Sequence, residues 1–151
     1  MNIHPATEAD LPAWYALRIQ LWPDADSPQD EADMRVFLND PTWRILLAEA
    51  NGQVIGFLEA HLRDYAEGCD TEPVGYLEGW FVVESFRRQG IGVALVRAAE
   101  DWARSQDCTE MASDAELHNL GGQQAHEALG YEEVERVVLF RKTLMTRTNE
   151  T

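Results

Sequence analysis

The chain is poor in several things that would have named its class. Cysteine is scarce: Cys69 and Cys108 are the only two in 151 residues. They make no disulfide framework and no CxxC pair, so a reduced, cytoplasmic setting is expected and both thiols are read as structural. Basic residues are few, 12 against 27 acidic ones, for a formal net charge of −15. That balance argues against a phosphate-backbone binder, because nucleic-acid modules need a basic face. No apolar run approaches the roughly 18 residues of a membrane span. The opening MNIHPATEADL lacks the basic and apolar regions of a secretory signal. His4, His61, His118 and His126 stand without metal-ligand spacing, and no metal is expected. What the composition favours is a cationic ligand, drawn in by the field of an acidic protein.

The remaining composition is that of one globular domain, 45% hydrophobic and 26% charged. A single domain is expected over 1–145, followed by a polar tail at 146–151. Asn2 to Pro5 suits a short strand. Thr7 and Asp10 form an acidic variant of the capping box, ahead of Leu11, Trp14, Leu17 and Leu21 at helical spacing. Pro23 stops that helix and Ser27-Pro28 starts another, with Met34, Phe37 and Leu38 as its apolar stripe. Trp43–Ala50 and Gln53–Leu62 flank Asn51-Gly52, a strong hairpin signal because both turn residues accept positive φ. An acidic loop (64–73) leads to a strand over Val74–Val83. A helix is expected over Val93–Gln106, a short strand over Thr109–Ser113, a helix over Asn119–Leu129 and a last strand over Val134–Arg141. Hairpins mixed with crossovers predict an α+β fold, with a mixed, mostly antiparallel sheet covered by about four helices.

The segment Arg87-Arg88-Gln89-Gly90-Ile91-Gly92, between a strand and a helix, has a clear chemical use. Two glycines allow close backbone approach, and a helix start offers free N–H groups to a pyrophosphate. Arg87 and Arg88 would add charge. No Gly-Lys-Ser/Thr follows, and Leu95 stands at the third glycine of a dinucleotide fingerprint, so neither a P-loop nor a Rossmann turn fits.

Arg87, Gly90 and Gly92 match the Gln/Arg-x-x-Gly-x-Gly/Ala signature, and here the sequence resembles the GNAT superfamily of N-acetyltransferases. Longer strings resemble the aminoglycoside 6′-N-acetyltransferases of its chromosomal-type branch. These are Leu-Arg-Ile-Gln-Leu-Trp-Pro (17–23), Tyr-Leu-Glu-Gly-Trp-Phe-Val (76–82), Met-Ala-Ser-Asp-Ala-Glu (111–116) and the stretch 126–142. The resemblance implies acetyl-coenzyme A as donor, with its pyrophosphate on Gln89, Gly90, Ile91, Gly92, Val93 and Ala94. The pantetheine arm would pair with Phe81, Val82 and Val83 and meet Asn119. It also implies antibiotic resistance as the outcome and a homodimer as the assembly. Carried over by position, Trp22 and Tyr65 would wall the aminoglycoside, with Glu78, Asp114 and Glu135 as carboxylates. Asp70 and Glu72 are looser candidates for the rim.

Those residue types suit the chemistry. A polycationic sugar needs carboxylates and an aromatic wall. Its amine must lose a proton before attack, so Asp114 or Glu78 is expected to act as the base, directly or through water. The amine then attacks the thioester, a backbone N–H near Val82 holds the oxyanion, and no acyl-enzyme is needed. Many superfamily members carry a tyrosine that protonates the leaving thiolate four residues before a Gly-Phe/Tyr pair. Counted back from Gly130-Tyr131, that position holds His126. Either His126 or solvent would protonate the thiolate. A polyamine or peptide amine remains an alternative acceptor, and a silent acyl-coenzyme A binding module an alternative class.

Overall fold

The computed structural model describes residues 1–146. Five strands form one sheet in the order β1-β2-β3-β4-β5: β1 (Asn2–Pro5), β2 (Trp43–Ala50), β3 (Gln53–Arg63), β4 (Val74–Val82) and β5 (Met111–Ser113). Neighbours are antiparallel except β4 and β5, which run parallel and are joined by a helical crossover. Four helices complete the fold: α1 (Leu11–Leu21), α2 (Pro28–Asn39), α3 (Ile91–Ser105) and α4 (Leu120–Ala128). The mixed, mostly antiparallel sheet and its four helices agree with the expected architecture.

Local chemistry sets the element ends. At the hairpin tip Asn51 and Gly52 both take positive φ, 53° and 76°, the geometry that lets a two-residue turn follow the strand twist. Asp10 accepts the Thr7 N–H at 2.8 Å in a 3₁₀ turn that leads into α1. Ser27 Oγ accepts the Asp30 N–H and caps α2, a contact of about 1 kcal/mol.

The two faces of the sheet are covered differently. Helix α3 lays Ile91, Leu95, Val96, Ala99 and Trp102 on Leu46, Ile55, Leu58, Ala60, Leu77 and Val82. On the opposite face Leu11, Trp14, Leu17 and Met34 of α1 and α2 pack on Ile45, Leu47 and Phe57. That second face also holds the one buried charged residue of the described chain, Glu59, only 1% exposed. Its carboxylate takes Trp14 Nε1 at 3.0 Å and Arg18 at 2.6 and 3.2 Å. Burial still pushes the Glu59 carboxyl above its ordinary value, against the pull of Arg18 and Trp14.

Two departures matter. The strand expected over Val134–Arg141 is absent: the chain from 132 to 146 is exposed and has no regular structure. Val137, Val138, Leu139 and Phe140 are 60 to 92% exposed, so they are not core. A strand needs a partner ladder, and β5 is paired with β4 alone. The second departure is a β-bulge. Glu59 pairs with Gly79 and Ala60 with Leu77, so Glu78 has no partner on β3. Of the expected tail, 147–151 lies outside the described residues.

Candidate active site

The parallel pairing ends where Leu77 meets Ser113, while β4 continues to Val82. Beyond that point, among the described residues, β4 has no strand partner on its β5 side, and this unpaired stretch, which starts where β5 ends, is the wedge. Val83 N–H bonds to Ile55 on β3 at 2.8 Å. Strand alternation therefore turns the Val82 N–H and C=O the other way, into the wedge. Arg87 Nε already donates to that carbonyl at 2.7 Å, so this arginine ties the following turn to the end of β4.

The turn itself has the backbone geometry of an anion cradle. Arg88 and Gly90 both adopt positive φ, 63° and 80°, and Gly90 caps α3 with free space around it. Arg88 and Gln89 are exposed, and the first N–H groups of α3 are available to a phosphate. Gly92 has a different reason to be glycine: a Cβ there would lie 3.1 Å from the Trp80 indole. Asn119 caps α4 by accepting the Gly122 N–H at 3.0 Å, which fixes its side chain at the start of that helix.

On the α1 face the bulge brings acceptor-side residues together. Trp22 lies over Gly79, where a Cβ would come within 2.3 Å of its ring, and Arg18 stacks 4.9 Å from the ring centroid. Glu78 next door receives Arg63 through both oxygens, at 2.7 and 2.8 Å. The same guanidinium sits 3.5 Å over the Tyr76 ring, and Tyr76 donates its hydroxyl to Asp114 at 2.5 Å. Burial and the Asp114 carboxylate both push that phenol up, so Tyr76 stays a donor. Glu78, Arg63, Tyr76 and Asp114 thus form one continuous chain of contacts.

Tyr65 and Glu135 form a second group on the acidic loop. Val134 fills the space above Gly68, which brings Glu135 to Glu67. Sharing a hydrogen with Glu67 raises the Glu135 carboxyl, and Glu67 likewise raises the exposed Tyr65 phenol. Glu135 reaches this loop from an irregular segment and not from a hairpin, since that strand is absent. Asp70 belongs elsewhere: its N–H bonds to Glu110, at the closed end of the β4–β5 pair. Glu72 lies exposed in the same stretch.

Sequence reasoning overlooked Tyr76, Arg63 and Glu59. Tyr76 and Glu78 are two apart on one strand, a spacing that signals a shared face. Glu59 interrupts an apolar strand, which marks it as a buried, paired charge. Among the described residues no group of three His, Cys, Asp or Glu side chains is arranged to hold a metal ion. None of the described helices is long and apolar enough to cross a membrane. A depression of about 340 Å³ between α1 and α2, lined by Glu8, Leu11, Pro12, Tyr15, Glu31 and Arg35, is separate from the wedge.

The whole arrangement has close counterparts. The model of the acetyltransferase (GNAT) family matches residues 11–131. The aminoglycoside N(6′)-acetyltransferase type 1 of Klebsiella aerogenes is 44% identical over 146 residues, 94% of this chain and 96% of that protein. The protein of the same name from Stenotrophomonas maltophilia is 44% identical over 145 residues, covering 95% of this chain and 94% of its own. Among solved structures, AAC(6′)-Iy in complex with the bisubstrate analogue CoA-S-monomethyl-acetylneamine has a TM-score of 0.90 at 40% identity, covering 95% of this chain and 98% of that one. AAC(6′)-IG from Acinetobacter haemolyticus has a TM-score of 0.86 at 44% identity, covering 95% and 99%. With the wedge, the turn and these matches together, the chain belongs to the GNAT family of acetyltransferases, alongside aminoglycoside 6′-N-acetyltransferases of type I.

Proposed function

We propose that this protein transfers the acetyl group of acetyl-coenzyme A to the 6′-amine of aminoglycosides and so confers resistance to them. The observation that carries the reading is the wedge between β4 and β5, with an open anion cradle on one side and carboxylates beside an aromatic wall on the other. Relatives named for that activity, similar over nearly the full chain, support it.

The donor's pyrophosphate suits the Gly90 turn and the first N–H groups of α3, with Arg88 adding charge. Its pantetheine amides can run along the Phe81–Val83 stretch, where Val82 turns its backbone into the wedge, and Asn119 lies at the start of α4. Trp22 offers a sugar ring its indole face, which Arg18 supports from behind. Glu78 and Asp114 attract the ammonium groups, and Tyr65 with Glu135 lines the outer rim. Asp114 is the better base of the two carboxylates. Both Glu78 oxygens are committed to Arg63, whereas Asp114 gives one oxygen to the Tyr76 hydroxyl. Asp114 takes the amine proton, directly or through water, and the Val82 N–H stabilises the oxyanion as the amine adds.

The protein acts as a cytoplasmic homodimer in this reading. The exposed apolar arm, Val137 to Phe140, and the unpaired side of β5 favour a second copy of the chain as the arm's partner. Truncation after Glu133 is then expected to give a monomer by light scattering.

The decisive assay is thiol release from acetyl-coenzyme A with kanamycin and with paromomycin, which carries a hydroxyl in place of the 6′-amine. Rapid release with kanamycin and almost none with paromomycin is expected. Equal rates would move the acetylated position elsewhere. Release with linear polyamines alone would replace the acceptor.

A further inference from the structure

We infer that Ser113 is a catalytic residue, the group that returns a proton to the coenzyme A thiolate, and that His126 supplies this proton through the Ser113 hydroxyl. The inference rests on the acetyl-transfer reading and deepens it. Successive residues of a strand point to opposite faces. On β5, Met111 packs with the α3-side core, while Ala112 joins Tyr76 on the other face. Ser113 therefore returns to the α3 and α4 side, and Asp114 to the acceptor side, where it meets Tyr76. Ser113 is also the residue at which the β4–β5 pairing ends, so its hydroxyl stands at the apex of the wedge.

There it meets His126, with Oγ 2.8 Å from Nε2. The other ring nitrogen, Nδ1, lies 2.6 Å from the Gly122 carbonyl oxygen. A carbonyl only accepts, so Nδ1 carries a hydrogen in every protonation state, and Nε2 is the position that gains or loses one. Trp80 and Tyr131 hold the ring edge-on, with centroids at 5.6 and 5.9 Å. Tyr131 is in turn tied to α3 by its hydroxyl bond to Glu100 at 3.0 Å. The imidazole is thus oriented from three elements, with its exchangeable nitrogen aimed at Ser113.

The same heavy atoms serve both states of the ring. With His126 protonated, Nε2–H donates to Ser113 Oγ, and the hydroxyl, whose other partner is the Leu77 carbonyl at a long 3.4 Å, turns from it to donate to the sulfur. With His126 neutral, the hydroxyl donates back to Nε2. When the tetrahedral adduct collapses, the C–S bond breaks and its electron pair goes to sulfur. Sulfur takes the Ser113 proton, Oγ takes the proton of Nε2, and His126 is left neutral. The amine proton leaves separately to Asp114. Base and acid are consecutive residues at the end of β5, pointing to opposite faces of the sheet, each on the side of the atom that it serves.

The test uses the full-length Ser113→Ala, Ser113→Thr and His126→Gln variants with kanamycin, and with coenzyme A alone as a probe. Ser113→Ala should lower kcat on the order of 10²-fold with the acetyl-coenzyme A KM unchanged, and His126→Gln about 10-fold. Ser113→Thr should recover most of the rate. Independently of any acceptor, the thiolate absorbance of bound coenzyme A at a fixed neutral pH should fall several-fold in Ser113→Ala. An intact kcat, a rise in KM alone, or a rate loss with unchanged thiolate absorbance would overturn the assignment, the last leaving the pair as a pin between α4 and β5. Wild-type silence with every aminoglycoside would refute the acceptor reading alone. The thiolate signal would still decide the role of Ser113.

Discussion

The two sides of the wedge are built from different materials. On the α3 side, the proposed donor recognition falls to backbone: a left-handed Gly90, the first N–H groups of α3 and the inner edge of β4. On the α1 side, the proposed acceptor recognition falls to side chains from separate elements: Trp22 after α1, Arg63 from β3, Glu78 on the β4 bulge and Asp114 after β5. A backbone cradle recognises a constant ligand and tolerates side-chain drift. A side-chain cluster recognises a variable ligand and is rebuilt by single substitutions. Charge follows the same division, since the buried Glu59–Arg18 pair lies beneath the side-chain half.

The contrast can be broken in a graded way. Asp114→Asn should produce the largest loss, about 10²- to 10⁴-fold in kcat, with donor affinity unchanged in a coenzyme A titration. A loss confined to KM would make Asp114 a binding group only. Glu59→Ala comes next, because it strands the largely buried Arg18 guanidinium and the buried Trp14 N–H. About 3–5 kcal/mol of stability should disappear in urea unfolding. Gly79→Ala pushes a methyl into Trp22, and is expected to raise the aminoglycoside KM about tenfold, near 1.4 kcal/mol, while sparing the donor KM. Gly90→Ala mirrors it on the other side. Forcing a Cβ into the left-handed region costs about 1 kcal/mol, to be read as weaker donor binding with an unchanged acceptor KM. If Gly79→Ala and Gly90→Ala each affected both substrates, the separation of the two halves would be wrong.

The proposed donor half could be suggested from sequence because its candidate residues are contiguous. Arg87 to Gly92 is one segment, and its glycine spacing carries the mechanism wherever the rest of the chain goes. Even so, the duties of its members needed coordinates. Gly90 serves conformation, Gly92 makes room for Trp80, and Arg87 donates to the Val82 carbonyl. The acceptor half was reached only through resemblance of longer strings, since Glu78 and Asp114 look like any surface carboxylate by themselves. The bulge that leaves Glu78 unpaired depends on a one-residue slip between β3 and β4, and no local pattern announces it.

The C-terminal stretch teaches the converse. Val134–Arg141 has strand composition, yet a strand is a property of a pair, and this segment finds no partner within the described chain. Elements whose signals lie within a few residues of one another were determined by local chemistry. These include the Asn51-Gly52 hairpin, the Ser27 cap and the amphipathic α3, where turn conformation, capping and periodicity act over a few residues. The tertiary structure decided what depends on distant neighbours: the wedge at Leu77 and Ser113, the Arg63 clamp on Glu78 and the meeting of Ser113 with His126. Short-range torsional preference is written residue by residue, whereas the chemistry of this site depends on where a strand ends and which helix then crosses it.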